Sequence, residues 1–192
     1  TPGATAPILG GPAATIKSVA AKNRLDLAGC EIVDAPDSEA AAEKSVEQVR
    51  LGRAEALMKG SLHTDELMGA VVKRDTGLRT ARRISHCFVM AVPGHDTPLI
   101  ITDAAGNVAP TLEDKVHIVQ NAIDLAHALG APEVRVAIVS AMETVNPKVP
   151  STLDAAALCK MADRKQITGA ILDGPLALDN AIDIDAAKIK KI

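Results

Sequence analysis

Residues 111–139 read TLEDKVHIVQNAIDLAHALGAPEVRVAIV, and this stretch joins the pattern of an amphipathic helix to that of a buried strand. Thr111 followed by Asp114 is a capping-box pattern that predicts the start of the helix, and Gly130 predicts its end. The run Val134–Val139 is rich in valine and isoleucine on both faces, as buried strands are. The helix carries an apolar stripe with spacings of four and three, formed by Leu112, Val116, Val119, Ile123 and Ala126.

The same alternation of strand and helix patterns runs through the whole chain, as expected of an open parallel sheet covered by helices. The predicted strands are Ala6–Leu9, Glu31–Val33, Ala54–Met58, Ile84–Val92, Leu99–Thr102, Val134–Val139 and Ile167–Leu172. The predicted helices are Ala13–Asn23, Glu39–Leu51, Thr64–Val72, Thr111–Leu129 and a helix that begins with a Ser151–Asp154 capping box and ends near Arg164. The predicted fold class is therefore α/β with a mainly parallel sheet.

The composition is that of a folded protein, because 192 residues can bury a sizeable core and 47% of them are hydrophobic. A net charge of −3 and a single aromatic residue, Phe88, make nucleic acid an unexpected partner. Three widely separated cysteines, with no signal segment and no long apolar run, predict a cytoplasmic protein that does not enter a membrane.

A charged segment that contains a glycine, Lys73–Thr80, interrupts the alternation of strands and helices. We place a domain boundary near Asp75 for this reason. The predicted domains are residues 1–75 and residues 76–192, both of the α/β class.

The segment Met58–Thr64, MKGSLHT, follows a predicted strand and leads into a predicted helix. Ligands of open parallel sheets bind beyond the carboxyl ends of the strands, and a glycine lets the backbone approach an anion such as phosphate. Gly60 and Ser61 are therefore candidates for phosphate binding. A plain turn capped by Thr64 explains the same pattern. The nucleotide-binding patterns GxxxxGK[ST] and GxGxxG do not occur in the chain.

Five cations lie close together between Lys73 and Arg83, with Asp75 as the only acid among them. A polyanionic ligand would suit this cluster, and so would solvation of an exposed loop. Arg79 is the cation best placed to reach a cleft between domains. His63 lies beside the candidate phosphate loop, where it either contacts a substrate or hydrogen-bonds at the start of the helix. The histidine spacing predicts no metal site.

The segment Asp173–Ala181 follows the last predicted strand and contains two acids and a Gly-Pro pair. Asp173 at the end of a strand, with Gly174 and then Asp179, can orient a substrate. A capped turn that only orders the loop is the alternative.

Four short sequence motifs occur in the order and at the spacing found in the phosphate acetyl/butyryltransferase family: Met58–Thr64, Thr76–Arg79 (TGLR), Ile101–Ala105 (ITDAA) and Asp173–Leu176 (DGPL). The chain resembles this family over nearly its whole length, and it is most similar to the phosphate butyryltransferase-like branch. The opening residues are similar to a form of the enzyme that is fused to an enoyl-CoA hydratase-like domain.

The resemblance implies two three-layer α/β domains, like those of isocitrate and isopropylmalate dehydrogenases, with an active site in the cleft between them and usually a homodimer. It implies direct acyl transfer between coenzyme A and phosphate, with acyl-CoA and phosphate or acyl phosphate as the substrates and with no cofactor or metal. By the same resemblance, Gly60, Ser61, His63 and Thr64 line the phosphate side, Arg79 and Arg82 meet anionic charge, and Asp173, Gly174 and Asp179 shape the opposite wall.

Two features depart from the family pattern. Gly69 stands where longer phosphate acetyltransferases place an arginine. The resemblance also implies a strand and helix before Thr1 and a segment after Ile192 that carries a Ser-Arg pair and an acid of the active site. We therefore expect the sequence to be a fragment of a larger enzyme.

Two other functions are compatible with these patterns. A truncated member of the family could act as a non-catalytic module that binds coenzyme A or pairs with itself. A metal-dependent decarboxylating dehydrogenase has a similar fold, and Asp103, Asp173 and Asp179 are the only plausible metal-binding set for that reaction.

Overall fold

A computed structural model describes residues 6–95 and 97–192, and its contacts divide the chain into two compact units, with the division between Ala81 and Arg82. The assignment of domains to residues 1–75 and 76–192 stays a prediction. The first five residues, on which part of the resemblance rests, lie outside the described residues.

The described part of the first unit contains a pair of parallel strands and three helices. They are β1 (Ile8–Gly11), α1 (Ala13–Lys22), β2 (Glu31–Asp34), α2 (Ser38–Arg50) and α3 (Thr64–Val72). Strand β1 pairs with β2 so that Ile8 lies opposite Glu31 and Gly11 lies opposite Asp34. Asp34 Oδ1 accepts a hydrogen bond from the Ala13 N–H at 2.8 Å, so a carboxylate from β2 satisfies a donor at the start of α1.

The core of the first unit joins α2 to α3. Ala42, Val46 and Ala70 are at most 4% exposed. Partly buried side chains pack around them, namely Leu57, Leu62, Leu67, Val71 and Leu78. The core therefore holds the segment between α2 and α3 at two points, Leu57 and Leu62.

The second unit contains two pairs of strands and four helices in its described residues. They are β3 (Cys87–Met90), β4 (Leu99–Thr102), α4 (Leu112–Ala128), β5 (Arg135–Val139), α5 (Pro150–Asp163), β6 (Ile171–Leu176), α6 (Leu178–Ile182) and α7 (Ile184–Lys190). Strands β5 and β6 are parallel, whereas β3 and β4 are antiparallel. The predicted α/β class with parallel pairing is confirmed, and the β3–β4 hairpin is an antiparallel addition to it.

Helix α4 supplies the centre of the second core. Ile123 is 0% exposed and packs with Val119, Leu158 and Ile167. The predicted stripe of α4 faces this core, and the predicted capping box is present. Thr111 Oγ1 accepts the Asp114 N–H at 3.2 Å, and an Asp114 carboxylate oxygen accepts the Thr111 N–H at 3.0 Å.

The predicted strand Ala54–Met58 is wrong, since these residues belong to no helix or strand. Gly52, with φ +69°, turns the chain after α2, and Met58 is 96% exposed. Arg53 is held by the carboxylate of Glu31 and by Gln48 Oε1 at 2.7 Å. The apolar run pairs with none of the strands in the described part of the chain, and Leu57 is its one residue that packs against the core.

Three other predicted strands have bounds that differ by two or more residues in the structure. The strand predicted at Ala6–Leu9 is β1, Ile8–Gly11. The strand predicted at Ile84–Val92 is only Cys87–Met90, because the His86 N–H donates to Asp103 Oδ1 at 2.8 Å instead of to a neighbouring strand. The strand predicted at Ile167–Leu172 begins after a turn at Gly169, which has φ +87°, and continues to Leu176.

The capping box predicted for α5 is also wrong. The helix begins at Pro150, whose fixed φ suits the first helical position. Ser151 Oγ lies 2.7 Å from Ser140 Oγ, and the Asp154 carboxylate accepts Lys115 Nζ at 2.6 Å. Both side chains therefore have other partners. The sequence pattern does not predict α6 or α7, since both are shorter than the window that a helical stripe needs.

Candidate functional site

Residues 57–62, between α2 and α3, form a loop that we call the Gly60 loop. It is held by the core at its two ends and is exposed in its middle. Leu57 and Leu62 pack into the core of the first unit. Met58, Gly60 and Ser61 between them are exposed. A Cβ atom added to Gly60 would meet no heavy atom within 4 Å. Packing therefore does not require a glycine here, and the backbone of Gly60 and Ser61 is accessible to a ligand.

At the start of α3, a carboxylate of the helix accepts the N–H group of the N-cap residue. His63 is the N-cap, so the prediction that Thr64 caps the turn is wrong, and Thr64 is the first helical residue. A Glu66 carboxylate oxygen accepts the His63 N–H at 2.8 Å, and the other accepts the Ser38 hydroxyl. The Ser38 hydroxyl and the His63 N–H hold the pKa of Glu66 below its ordinary value. Asp65 also lies in the first turn, so two carboxyl groups are already near the start of the helix. The backbone N–H groups that remain for an anion are those of the loop before α3.

Lys59 is a cation of this loop that the sequence pattern does not single out. Its Nζ donates hydrogen bonds to Leu62 O at 3.0 Å and to Gly60 O at 3.3 Å. Within residues 6–95 and 97–192 it forms no ion pair with an acid. A lysine directly before a Gly-Ser pair is the sequence signal that could have identified it.

Arg79 follows a tight turn at the end of α3. The Gly77 N–H donates to Lys73 O at 3.1 Å, and the Leu78 N–H donates to Val71 O at 2.8 Å. The side chain of Leu78 packs into the core, whereas Arg79 is exposed. Arg79 forms no hydrogen bond or ion pair within the described part of the chain, so its charge is available to a ligand.

Arg82 lies at the beginning of the second unit and faces a carboxylate. It pairs with Asp124 on α4, and this contact is the largest of those that lower the pKa of Asp124. An anionic ligand of Arg82 would have to compete with that carboxylate.

Asp173 and Gly174 lie within β6, so the prediction that they follow the last strand is wrong. Asp173 is exposed and lies opposite Ala137 of β5. Gly174 has φ +157°, and a Cβ atom added to it would lie 2.7 Å from Ile138 O and 2.8 Å from Ile138 Cβ. Gly174 therefore allows β6 to approach β5 closely, which is a packing role.

Asp179, on α6, is paired with a lysine near the end of α7. Lys190 Nζ donates to Asp179 Oδ1 at 2.8 Å and to Glu143 Oε1 at 2.6 Å. This lysine lowers the pKa of both carboxyl groups. The negative charge of Asp179 is thus offset within the second unit.

The structure brings four of the nine predicted site residues together in sequence and space: Gly60, Ser61, His63 and Thr64 form one loop and helix start. Arg79 belongs to the same unit, beyond α3. Arg82, the Asp173–Gly174 pair and Asp179 lie in the second unit with separate partners. A shared substrate site for all nine stays a prediction.

The side chain of Asp103 holds the loop that contains the ITDAA motif through several hydrogen bonds. Its Oδ1 accepts the N–H groups of His86 at 2.8 Å and Gly106 at 3.1 Å, and its Oδ2 accepts Asn107 Nδ2 at 2.5 Å. Asn107 in turn accepts a hydrogen bond from Arg83 Nε. Burial raises the pKa of Asp103, but the hydrogen bonds together outweigh it and lower that pKa below its ordinary value. Both oxygens of this carboxylate are therefore occupied by donors of the protein.

This network predicts that Asp103 stabilises the fold in a pH-dependent way. Because the pKa is lower in the folded state, the stabilisation is present above the unfolded pKa of about 4 and is lost as the pH falls through the folded value. Asp103→Asn should lower the free energy of unfolding at neutral pH and reduce its change between about pH 5 and pH 2. Urea unfolding at a series of pH values measures both.

Glu113→Gln is the matched control, since Glu113 is an exposed carboxyl group of the same unit. It should keep the pH dependence of the unchanged protein. An Asp103→Asn protein with that same pH dependence would show that the network does not depend on ionised Asp103.

No helix among the described residues has both the length and the apolar character needed to cross a membrane. In the same part of the chain, no three His, Cys, Asp or Glu side chains are grouped so as to hold a metal ion.

A family model described as phosphate acetyl/butaryl transferase matches residues 38–191, which include the Gly60 loop, the Gly77 turn, the Asp103 loop and β6. The chain belongs to this family. The resemblance to this family, which was based on four short sequence motifs, is thereby confirmed. The roles of individual residues in the family site stay predictions.

Relatives within the phosphate acetyl/butaryl transferase family match nearly the whole chain. Phosphate acetyltransferase of Rhizobium meliloti is 64% identical over 190 residues, which is 99% of this chain and 60% of that protein. Phosphate butyryltransferase of Clostridium acetobutylicum is 44% identical over 185 residues, which is 96% of this chain and 62% of that protein. The chain thus spans about three fifths of the length of these relatives.

Solved structures share the fold. A branched-chain phosphotransacylase from Enterococcus faecalis V583 aligns with a TM-score of 0.76 at 26% identity, over 96% of this chain and 74% of that one. The EutD phosphotransacetylase from Staphylococcus aureus aligns with a TM-score of 0.71 over 94% of this chain and 63% of that one; at 19% identity it supports the fold alone.

Proposed function

We propose that this chain is part of an enzyme that transfers an acetyl or butyryl group between coenzyme A and inorganic phosphate. The observation that carries the proposal is the 64% identity, across nearly the whole chain, to a protein named phosphate acetyltransferase. The 44% identity to a protein named phosphate butyryltransferase supports the wider choice of acyl group. Neither relative favours a non-catalytic module or a decarboxylating dehydrogenase.

The proposed reaction is a direct transfer. The thiolate of coenzyme A attacks the carbonyl carbon of an acyl phosphate, a thioester forms, and inorganic phosphate leaves. In the reverse direction, phosphate attacks the thioester and the coenzyme A thiolate leaves. The enzyme then has to hold two anionic substrates close together, exclude water and stabilise the oxyanion that forms on the carbonyl. We propose that neither a metal nor another cofactor takes part.

The first unit offers two features that suit a phosphate group. The exposed backbone around Gly60 and Ser61 can donate N–H groups, and the exposed guanidinium of Arg79 can donate in a planar fork. We assign His63 and Thr64 to the same side of the site, beside Glu66, whose carboxylate accepts the His63 N–H.

The second unit would supply the remaining contacts. We assign Arg82 to anionic charge on phosphate or coenzyme A, and Asp173, Gly174 and Asp179 to the opposite wall. This part of the proposal rests on the family resemblance, and it includes the two three-layer domains, a groove between them, a homodimer and a cytoplasmic location.

A chimaeric enzyme tests the proposal. This chain would replace the matching stretch of the Rhizobium meliloti relative, which supplies the remaining length of the family fold. We expect release of free thiol from acetyl-CoA that increases with phosphate concentration, and a loss of that release in the Arg79→Met variant. A chimaera that folds, judged by circular dichroism, but releases no thiol in response to phosphate would overturn the proposal.

A further inference from the structure

Two carbonyl groups of the Gly60 loop point toward the same ammonium group. Lys59 Nζ donates to Leu62 O at 3.0 Å and to Gly60 O at 3.3 Å. In a trans peptide the carbonyl and the N–H of the following residue point in opposite directions. The Ser61 N–H therefore points away from the Lys59 ammonium, and so does the His63 N–H.

The two N–H groups differ in what they meet. The His63 N–H donates to Glu66 Oε2 at 2.8 Å, so its peptide group is fixed at both ends. The Ser61 N–H has no acceptor within residues 6–95 and 97–192. The Ser61 N–H, which points away from Lys59, is thus a free backbone donor on an exposed serine that also carries a hydroxyl.

We propose that Lys59 is a positioning residue for the phosphate group of the substrate. It holds the carbonyls of Gly60 and Leu62 toward its own ammonium group, so that the N–H and hydroxyl of Ser61 meet the phosphate. This inference rests on the proposed function, and it names a residue and a loop geometry to which the family resemblance assigns no role.

The charges around the loop support this role. Carbonyl dipoles that faced a phosphate would repel it, and an ammonium that turns them away removes that repulsion. Asp65 and Glu66 also place negative charge beside the loop. Arg53 and Lys73, two other cations of the first unit, pair with Glu31 and Glu43, whereas the Lys59 ammonium is bound only to carbonyl oxygens. Its charge therefore remains available to offset those two acids.

Titration of the 15N-labelled chain with inorganic phosphate at constant ionic strength tests the inference. We expect the Ser61 amide resonance to shift with phosphate until saturation. In Lys59→Met the apparent affinity should fall about tenfold, the loss expected when one charge-assisted hydrogen-bonding group is removed. Lys59→Arg should keep most of the affinity, because arginine can also donate to both carbonyls. Lys17→Met, which removes an exposed lysine of α1, is the control for charge and should bind phosphate like the unchanged chain.

Two outcomes overturn the inference: phosphate leaves the Ser61 amide of the unchanged chain unmoved, or Lys59→Met binds phosphate as tightly as that chain does. Thiol release by the chimaera reports separately on the proposed function. Thiol release together with unchanged phosphate binding in Lys59→Met would reject the role of Lys59 alone. A Ser61 shift that depends on Lys59, in a chain whose chimaera releases no thiol, would reject the acyltransferase proposal alone.

Discussion

Replacing Gly77 with alanine is expected to lower the free energy of unfolding of the first unit by about 2–4 kcal/mol. The added methyl group would overlap the carbonyl oxygens of Val71 and Lys73 and lie 2.8 Å from Lys73 N. These are backbone atoms, so no change of rotamer relieves the overlap. The turn would have to open, and Leu78 would be drawn out of the core next to Arg79. Urea unfolding followed by circular dichroism measures the loss.

Gly69→Ala is the matched control. Gly69 lies in α3, is exposed and has no neighbouring atom within 4 Å of an added Cβ. Alanine should stabilise this helix by about 0.5–1 kcal/mol, because glycine loses more backbone freedom on folding. If Gly77→Ala unfolded at the same urea concentration as the unchanged protein, the close approach of Gly77 to the end of α3 would be wrong.

Gly174→Ala should destabilise the second unit to a similar degree, about 2–4 kcal/mol. The methyl group would lie 2.7 Å from Ile138 O and 2.8 Å from Ile138 Cβ, and φ is +157° at this position. Strands β5 and β6 would have to separate where they pair. The pairing register shifts between Ala137 and Val139, beside the close approach. Thermal and urea unfolding both report this loss.

Asp173→Asn separates packing from ligand binding in the same strand. Asp173 is exposed, and the substitution keeps an oxygen that can accept the Gly174 N–H, so stability should change by less than about 0.5 kcal/mol. If Asp173 also contacts substrate, the chimaera that carries Asp173→Asn should lose activity without losing stability. A Gly174→Ala protein as stable as the unchanged one would contradict the packing role of Gly174.

Local sequence signals predict five of the seven helices in the described residues, because the causes of those signals are local. The stripe and the capping box of α4 depend on residues within four positions of one another, and the structure has both. Helix α3 has the predicted bounds, Thr64–Val72. Its cap differs by one residue, since the Glu66 carboxylate accepts the His63 N–H.

Strands are predicted less well because pairing depends on distant segments. The run Ala54–Met58 has the apolar composition of a strand, but it pairs with no strand that the structure describes, and the chain there is irregular. The C-terminal bound of β6 was also predicted wrongly, because a Gly-Pro pair is typical of a turn. In the structure that pair lies inside the strand, where Gly174 meets Ile138.

The candidate site was predictable in position but not in geometry. A glycine and serine after an apolar run indicate an exposed loop, and the structure has one at Gly60 and Ser61. The contacts of Lys59 with two carbonyls, of Arg82 with Asp124 and of Asp179 with Lys190 could not be predicted. The last two join residues 42 and 11 positions apart, and all three depend on the path of the folded backbone.

The identity of the product tests the acyltransferase role most directly. The chimaeric enzyme would be supplied with acetyl-CoA and inorganic phosphate, and the products would be followed by phosphorus NMR together with a thiol assay. We expect one acetyl phosphate to form for each thiol released. Thiol release that yields free acetate without acetyl phosphate, or no release by a folded chimaera, would contradict acyl transfer to phosphate.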